Sequence, residues 1–178
     1  MESMNLLAIS GSGRQASTNT AMLRAVAEIA HPNHQVTVFD GISGLPVFSP
    51  DLELLPLPKS VPDFASLVGR SDGLIISSPE YVRAIPGGLK NAIDWLVARD
   101  EITEKPIVLM HASHRGDDML AQIRLVLSTV STHFSEGLFL RFELVKKSPE
   151  QIACHLKQPL NRQAVARFLQ DFATYCRL

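Results

Sequence analysis

Cysteine is scarce in this chain of 178 residues: Cys154 and Cys176 stand far apart and form no Cys-x-x-Cys pair. Both thiols are expected to be free, as in a protein kept in the reducing cytoplasm. Net charge is nearly absent as well, 17 Lys and Arg against 18 Asp and Glu leaving −1. No electrostatic case follows for nucleic acid or an anionic membrane surface. A dedicated electron shuttle, which would need a strongly charged docking face, is disfavoured on the same ground. No apolar run approaches the ~20 residues needed to span a bilayer. Met1-Glu2-Ser3-Met4 lacks the basic start of a leader peptide. Repeats, low-complexity tracts and interdomain linkers are missing too, so residues 1–178 are expected to form one domain.

What is present is alternation. Short apolar runs at 6–10, 35–39, 73–77, 106–110 and 137–142 read as strands. Between and after them come helical patterns, beginning near Ser17 or Thr18, near Asp63, near Pro86, at Met119 and at Asn161. Strands alternating with helices predict an α/β fold whose parallel sheet is covered on both faces. Right-handed crossovers then give a doubly wound five-stranded sheet of order 2-1-3-4-5. Residues 41–62 are proline-rich and carry no steady period, and are expected to form a long structured loop.

In such a sheet ligands bind beyond the carboxyl ends of the strands, where the strand order reverses. The loops at 10–19, 77–86 and 111–118 meet there, and all three are unusual. Ser10-Gly-Ser-Gly-Arg-Gln-Ala-Ser-Thr-Asn19 opens a helix, so its free N–H groups and dipole suit an anion. Ser12, Ser17, Thr18 and Asn19 can donate to phosphate oxygens, and Arg14 is the one cation in the loop. No Gly-Lys-Ser/Thr follows, and no Gly-x-Ser-x-Gly is present. Gly11-x-Gly13-x-x-Ala16, with Asp40 closing the second strand, matches a dinucleotide fingerprint on paper. The helix cap at Ser17 or Thr18 comes late for that, and leaves a loop long enough to wrap a single phosphate. In the second loop Tyr81 stands at a strand tip between Pro79 and Pro86, a stiff turn suited to a flat ring.

Together, Ser10-Gly-Ser-x-Arg14-x-x-Ser17-x-Asn19 and Ser78-Pro-Glu-Tyr81-x-x-x-Ile85-Pro-Gly-x-Leu-Lys-Asn-Ala-Ile-Asp-Trp95 resemble the NAD(P)H-dependent FMN reductases. That family includes quinone, chromate and azo-dye reductases. The resemblance runs to about residue 140 and takes in Leu-Pro-Val-Phe-Ser-Pro-Asp-Leu-Glu of the long loop. It implies a three-layer flavodoxin-like fold with FMN phosphate held by Ser10, Ser12, Arg14, Ser17, Thr18 and Asn19. It further implies that Pro79, Glu80, Tyr81 and Val82 line the flavin ring and that Ser113 and His114 complete its pocket. NADPH or NADH would reduce the flavin, and a quinone, free flavin or similar acceptor would take the electrons. The flavin carries the hydride chemistry, so no catalytic side chain is implied.

Family members are typically homodimers or homotetramers, which makes the long loop and the helix bearing Trp95 candidate interfaces. Two departures stand out: Val82 where Asn is frequent, and Asp117-Asp118 near the expected nicotinamide site. Glu80 reads as a surface carboxylate rather than as a brace for the loop. Two alternatives differ in class. One is a flavin-binding regulatory or electron-transfer module without turnover. The other is a metal site at His111, His114, Asp117 and Asp118.

Overall fold

The computed structural model describes residues 3–54, 56–97 and 99–178. Five strands, β1 (Asn5–Ser10), β2 (Gln35–Phe39), β3 (Gly73–Ser77), β4 (Ile107–His111) and β5 (Phe134–Arg141), form one sheet. All neighbours are parallel and the order is 2-1-3-4-5. Six helices accompany them: α1 (Thr18–Ala30), α2 (Ser60–Arg70), α3 (Gly87–Val97), α4 (Asp117–Val130), α5 (Pro149–Lys157) and α6 (Pro159–Tyr175).

Side chains alternate across the pleat, so each central strand feeds two cores. Leu7, Ile9, Leu74, Ile76, Ile107 and Leu109 face one layer, which α2, α3 and α4 cover with Phe64, Val68, Trp95, Ile123 and Leu127. Leu6, Ala8, Ile75, Val108 and Met110 face the other, where α1, α5 and α6 supply Leu23, Val26, Ile152, Phe168 and Phe172. All five residues of β3 and of β4 are buried, as a central parallel strand requires.

The long loop holds two short 3-10 turns, at Ile42–Gly44 and Pro50–Leu54. It is fastened to α3. The Trp95 indole N–H and the Asn91 side-chain amide both donate to the Pro46 carbonyl, at 2.8 and 2.9 Å. Asn91 Oδ1 accepts the Phe48 N–H at 2.7 Å. Trp95 is wholly buried and meets Phe48 edge-on at 5.1 Å. It therefore belongs to the core rather than to a partner surface.

Expected boundaries shift by one to three residues, most at β5, α2, α4 and α6, with α2 starting at Ser60. Strand β5 starts at Phe134, because an irregularity between Ile107 and Leu109 lets Phe134 pair as well. Helix α4 starts at Asp117 and α6 at Pro159. Helix α5 has no counterpart in the sequence reading, although Ser148-Pro149-Glu150-Gln151 closes a capping box with Pro in the first turn.

Candidate functional site

The loop after β1 is built by its own hydroxyls. Ser10 Oγ shares a hydrogen bond with Thr20 Oγ1 at 2.8 Å, and Ser12 Oγ accepts the Arg14 N–H at 3.2 Å. Ser17 caps α1, accepting the Thr20 N–H. The loop is tied across the switch point as well: Gly11 N–H donates to the Ser77 carbonyl, and Ser77 Oγ donates to Asn19 Oδ1, both at 2.8 Å. The amides of Thr18 and Asn19, in the first turn of α1, have no partner among the described residues. They and the Ser12 O–H remain available to an anion. Gly11 is tightly packed: a Cβ there would stand 2.7 Å from Ser78 Oγ, 2.8 Å from Leu89 Cδ2 and 2.9 Å from Ser78 Cβ, so the neighbouring loop would have to shift.

The loop after β3 ends in a two-residue hairpin. Tyr81 and Ala84 exchange both backbone hydrogen bonds, and Val82 and Arg83 between them have φ of 52° and 59°. Such a turn favours Asn and Gly, and a β-branched residue there is strained. Val82 is also almost fully exposed, so packing does not compensate. Val82→Asn is therefore expected to stabilise the protein by about 1 kcal/mol, read as a higher urea midpoint at unchanged slope.

Helix α4 holds this hairpin down. Glu80 Oε2 accepts the Met119 N–H at 3.1 Å, Arg83 pairs with Asp118 at 2.6 Å, and Gln122 donates to the Arg83 carbonyl. Glu80 is thus a brace, contrary to the expectation of a free surface carboxylate. Its charge satisfies a first-turn donor of α4.

The acidic residues that the sequence placed near the nicotinamide are both paired. Asp117 meets Arg141 at 2.6 Å, which holds its carboxyl below the usual range, and Asp118 meets Arg83. His114 faces Glu143 at 3.1 Å. The four side chains of the metal alternative therefore go to separate partners. Among the described residues no three His, Cys, Asp or Glu side chains could hold one ion.

His111 ends β4 almost wholly buried, with Nε2 against the Arg115 carbonyl at 2.5 Å. A carbonyl only accepts, so Nε2 carries the proton. Nδ1 completes no hydrogen bond among the described residues, although the Ser78 carbonyl nearby favours the charged ring. Burial outweighs these carbonyls and lowers the His111 pKa. Burial also lowers that of His34, whose Nδ1 accepts the Met4 N–H. The fold thus keeps both rings neutral where the unfolded chain would bind protons. Stability is expected to be complete above pH 6.5 and to fall as acid is added below it. Urea titrations from pH 7.5 to 5.0 check this, and the double variant His34→Gln/His111→Gln should flatten the slope.

These loops enclose a cleft of about 810 Å³, within the range of cofactor sites. Arg14, Thr18, Asn19, Pro79, Glu80 and Ser113 border it together. Ser10, Ser12 and Ser17 do not line it; they hold the loop that does. Tyr81 and Val82 lie just beyond it on the hairpin, and His114 turns away to Glu143. One contributor escaped the sequence reading, a fourth wall at residues 145–149 with Gln151, while His111 lines the cleft within the 111–118 loop expected there. The capping box after Ser148 was the available signal for that wall.

A doubly wound sheet of order 2-1-3-4-5, with an open helix N-terminus and a glycine-tight loop at the switch point, defines a flavodoxin-like mononucleotide-binding fold. The chain belongs to the NADPH-dependent FMN reductase family, whose model matches residues 4–141. A quinone reductase of Escherichia coli K12 is 31% identical over 115 residues, covering 63% of this chain and 61% of its own length. An NAD(P)H-dependent FMN reductase of Pseudomonas aeruginosa is 34% identical over 114 residues, with the same two shares. The chain thus spans about three fifths of the length of these relatives. Among solved structures, the flavoenzyme NAD(P)H:(acceptor) oxidoreductase of Paracoccus denitrificans superposes with a TM-score of 0.74 at 19% identity. That match covers 97% of this chain and 98% of the other.

Proposed function

We propose that the chain is an FMN-dependent oxidoreductase that moves two electrons from NADPH or NADH to a quinone, free flavin or similar acceptor. The observation that carries this is the cradle after β1, where the first turn of α1, with two free amides at Thr18 and Asn19, borders one cleft together with Arg14, which meets no carboxylate among the described residues. The residues fit the group. Gly11 lets the loop lie against Ser78, and Asn19 is anchored by Ser77 rather than left mobile. Bound FMN would accept hydride from the nicotinamide and pass the electrons on.

The protein's own residues bind and orient. Arg14 and the α1 amides hold the phosphate, with Ser10 and Ser17 fixing the loop that presents them. Pro79 and Glu80 form a braced wall for the ring, and Tyr81 and Val82 extend it beyond the cleft on the hairpin that α4 stiffens. Ser113 faces the cleft from the β4 loop, and His114 stands beside it. The whole chain would act as one flavin-binding domain, since both cores pack on the same sheet.

We further propose a homodimer or homotetramer in the cytoplasm. Exposed Val97 and Leu125 flank a hollow of about 430 Å³ between α3 and α4, an apolar face suited to a second copy. No helix among the described residues is long and apolar enough to cross a membrane.

Purified protein should bind FMN and oxidise NAD(P)H when supplied with a quinone. Bound FMN without oxidation by any of several acceptors would instead indicate a regulatory or electron-transfer module. No flavin absorbance and no FMN titration signal would remove both readings.

A further inference from the structure

The fourth wall of the cleft has no role yet. Its turn, Leu144 to Lys147, is closed by the Lys147 N–H on the Leu144 carbonyl at 3.2 Å. Leu144 is fully buried, and its N–H donates to the Ala112 carbonyl, so the turn is fixed to the end of β4. Lys146 sits third in that turn with φ of 68°, a position that favours Gly or Asn. A lysine is held there against its backbone preference.

The charges around it are unusual. Arg14, Arg115, Lys146 and Lys147 all border the cleft, and none meets a carboxylate among the described residues. Among the described residues the single carboxylate lining it, Glu80, already serves Met119. By contrast Arg24, Arg83, Arg141 and Lys157, which do not line it, are all paired. With the chain at −1 overall, the unpaired cations reflect local concentration rather than general excess.

The α5 N-terminus beside them is a poor anion site. Gln151 N–H goes to Ser148 Oγ, Ser148 N–H goes to the Gln151 side chain, Pro149 has no N–H to give, and Glu150 sets a carboxylate in the first turn. Any attraction from this wall must come from the lysine side chains. Helix α5 packs on α1, where Lys157 pairs with Glu28, and Gln15 and Ser17 share a second hollow with Pro149 and Glu150. The lysine turn therefore lies at the α1 end of the cleft.

We propose that Lys146 and Lys147 form a second, cationic jaw that closes on the FMN phosphate opposite Arg14 and the α1 amides. This rests on the FMN reading of the site, and it assigns a role to residues outside the 4–141 stretch that the family model matches. A phosphomonoester near neutral pH carries close to two negative charges, more than Arg14 alone offsets.

The test compares FMN with riboflavin, which lacks the phosphate. Flavin-loaded protein is diluted, and the fluorescence of released flavin gives each dissociation constant. Lys146→Ala/Lys147→Ala should weaken FMN by about 10- to 30-fold, leave riboflavin within about twofold, and lose most of its effect in concentrated salt. Lys146→Gly should weaken FMN while keeping or raising the thermal midpoint, because it relieves the positive φ. A purely structural role would instead lower the midpoint and weaken both flavins together, which overturns the proposal. An unchanged FMN-to-riboflavin ratio also overturns it, as does an effect confined to the KM for NADPH. Parent protein that binds riboflavin no worse than FMN would defeat the jaw while sparing the flavin reading. Parent protein that binds neither would defeat both.

Discussion

Gly11→Ala is expected to reduce FMN affinity by about 100-fold and to destabilise the fold by about 2 kcal/mol, within the range for overpacking. The added methyl would sit 2.7 Å from Ser78 Oγ, 2.8 Å from Leu89 Cδ2 and 2.9 Å from Ser78 Cβ. Neither loop can yield without consequence. Moving the first loop breaks the Gly11–Ser77 hydrogen bond that ties the cradle to β3. Moving the second displaces the residue preceding Pro79, and with it the ring wall. Gly73→Ala is the control. Its methyl would meet Phe172 Cζ at 2.6 Å and Cys176 Sγ at 2.7 Å, in the core beneath α6 and away from the cleft. That variant should lose comparable stability and keep its flavin affinity. Calorimetric midpoints with FMN titrations of both separate steric damage at the site from general loosening. Equal flavin loss in the two variants would show that the Gly11 contact has no special part in binding.

Trp95→Ala carries the largest expected cost to stability, about 4 kcal/mol, or roughly 8–16 °C in thermal midpoint for a protein of this size. The indole is fully buried in the core beneath α3, stacks edge-on against Phe48, and donates to the Pro46 carbonyl. Its removal leaves a cavity and releases the long loop on one side, while Asn91 still holds Pro46. Trp95→Phe should cost less, since it keeps much of the ring and loses chiefly the hydrogen bond. Limited proteolysis is expected to cut first between residues 46 and 58 in the alanine variant and more slowly in the phenylalanine one.

The central strands were legible because they are buried on both faces. Residues 74–76 and 107–110 read as apolar runs, and the order 2-1-3-4-5 follows from the alternation. The edge was harder. Strand β5 is only half buried and its pairing with β4 is irregular, so no clear period marks Phe134. The same contrast holds at the site. Gly11, Ser17 and the Pro79-Glu80-Tyr81 turn carry their local chemistry in the sequence, and the structure gathers their loops at one cleft. The Lys146 turn and the Val82-Arg83 turn both adopt positive φ without Gly or Asn, so neither is marked as a turn. Glu80 was read as a surface group because its partner, the Met119 N–H, lies 39 residues away along the chain. Long-range backbone acceptors of that kind leave no pattern in the sequence.

Three helices begin at the border of the cleft, and of these only α1 carries no carboxylate in its first turn. That of α4 holds Asp117, Asp118 and the bracing Glu80, and that of α5 holds Glu150. A negatively charged ligand therefore meets a polar axis rather than a uniformly attractive basin. Its charged end has one place to dock, and the rest of the molecule must lie toward Pro79 and Ser113. Handedness of entry is thus set before any contact with the aromatic portion, by the acids at two of the three helix starts.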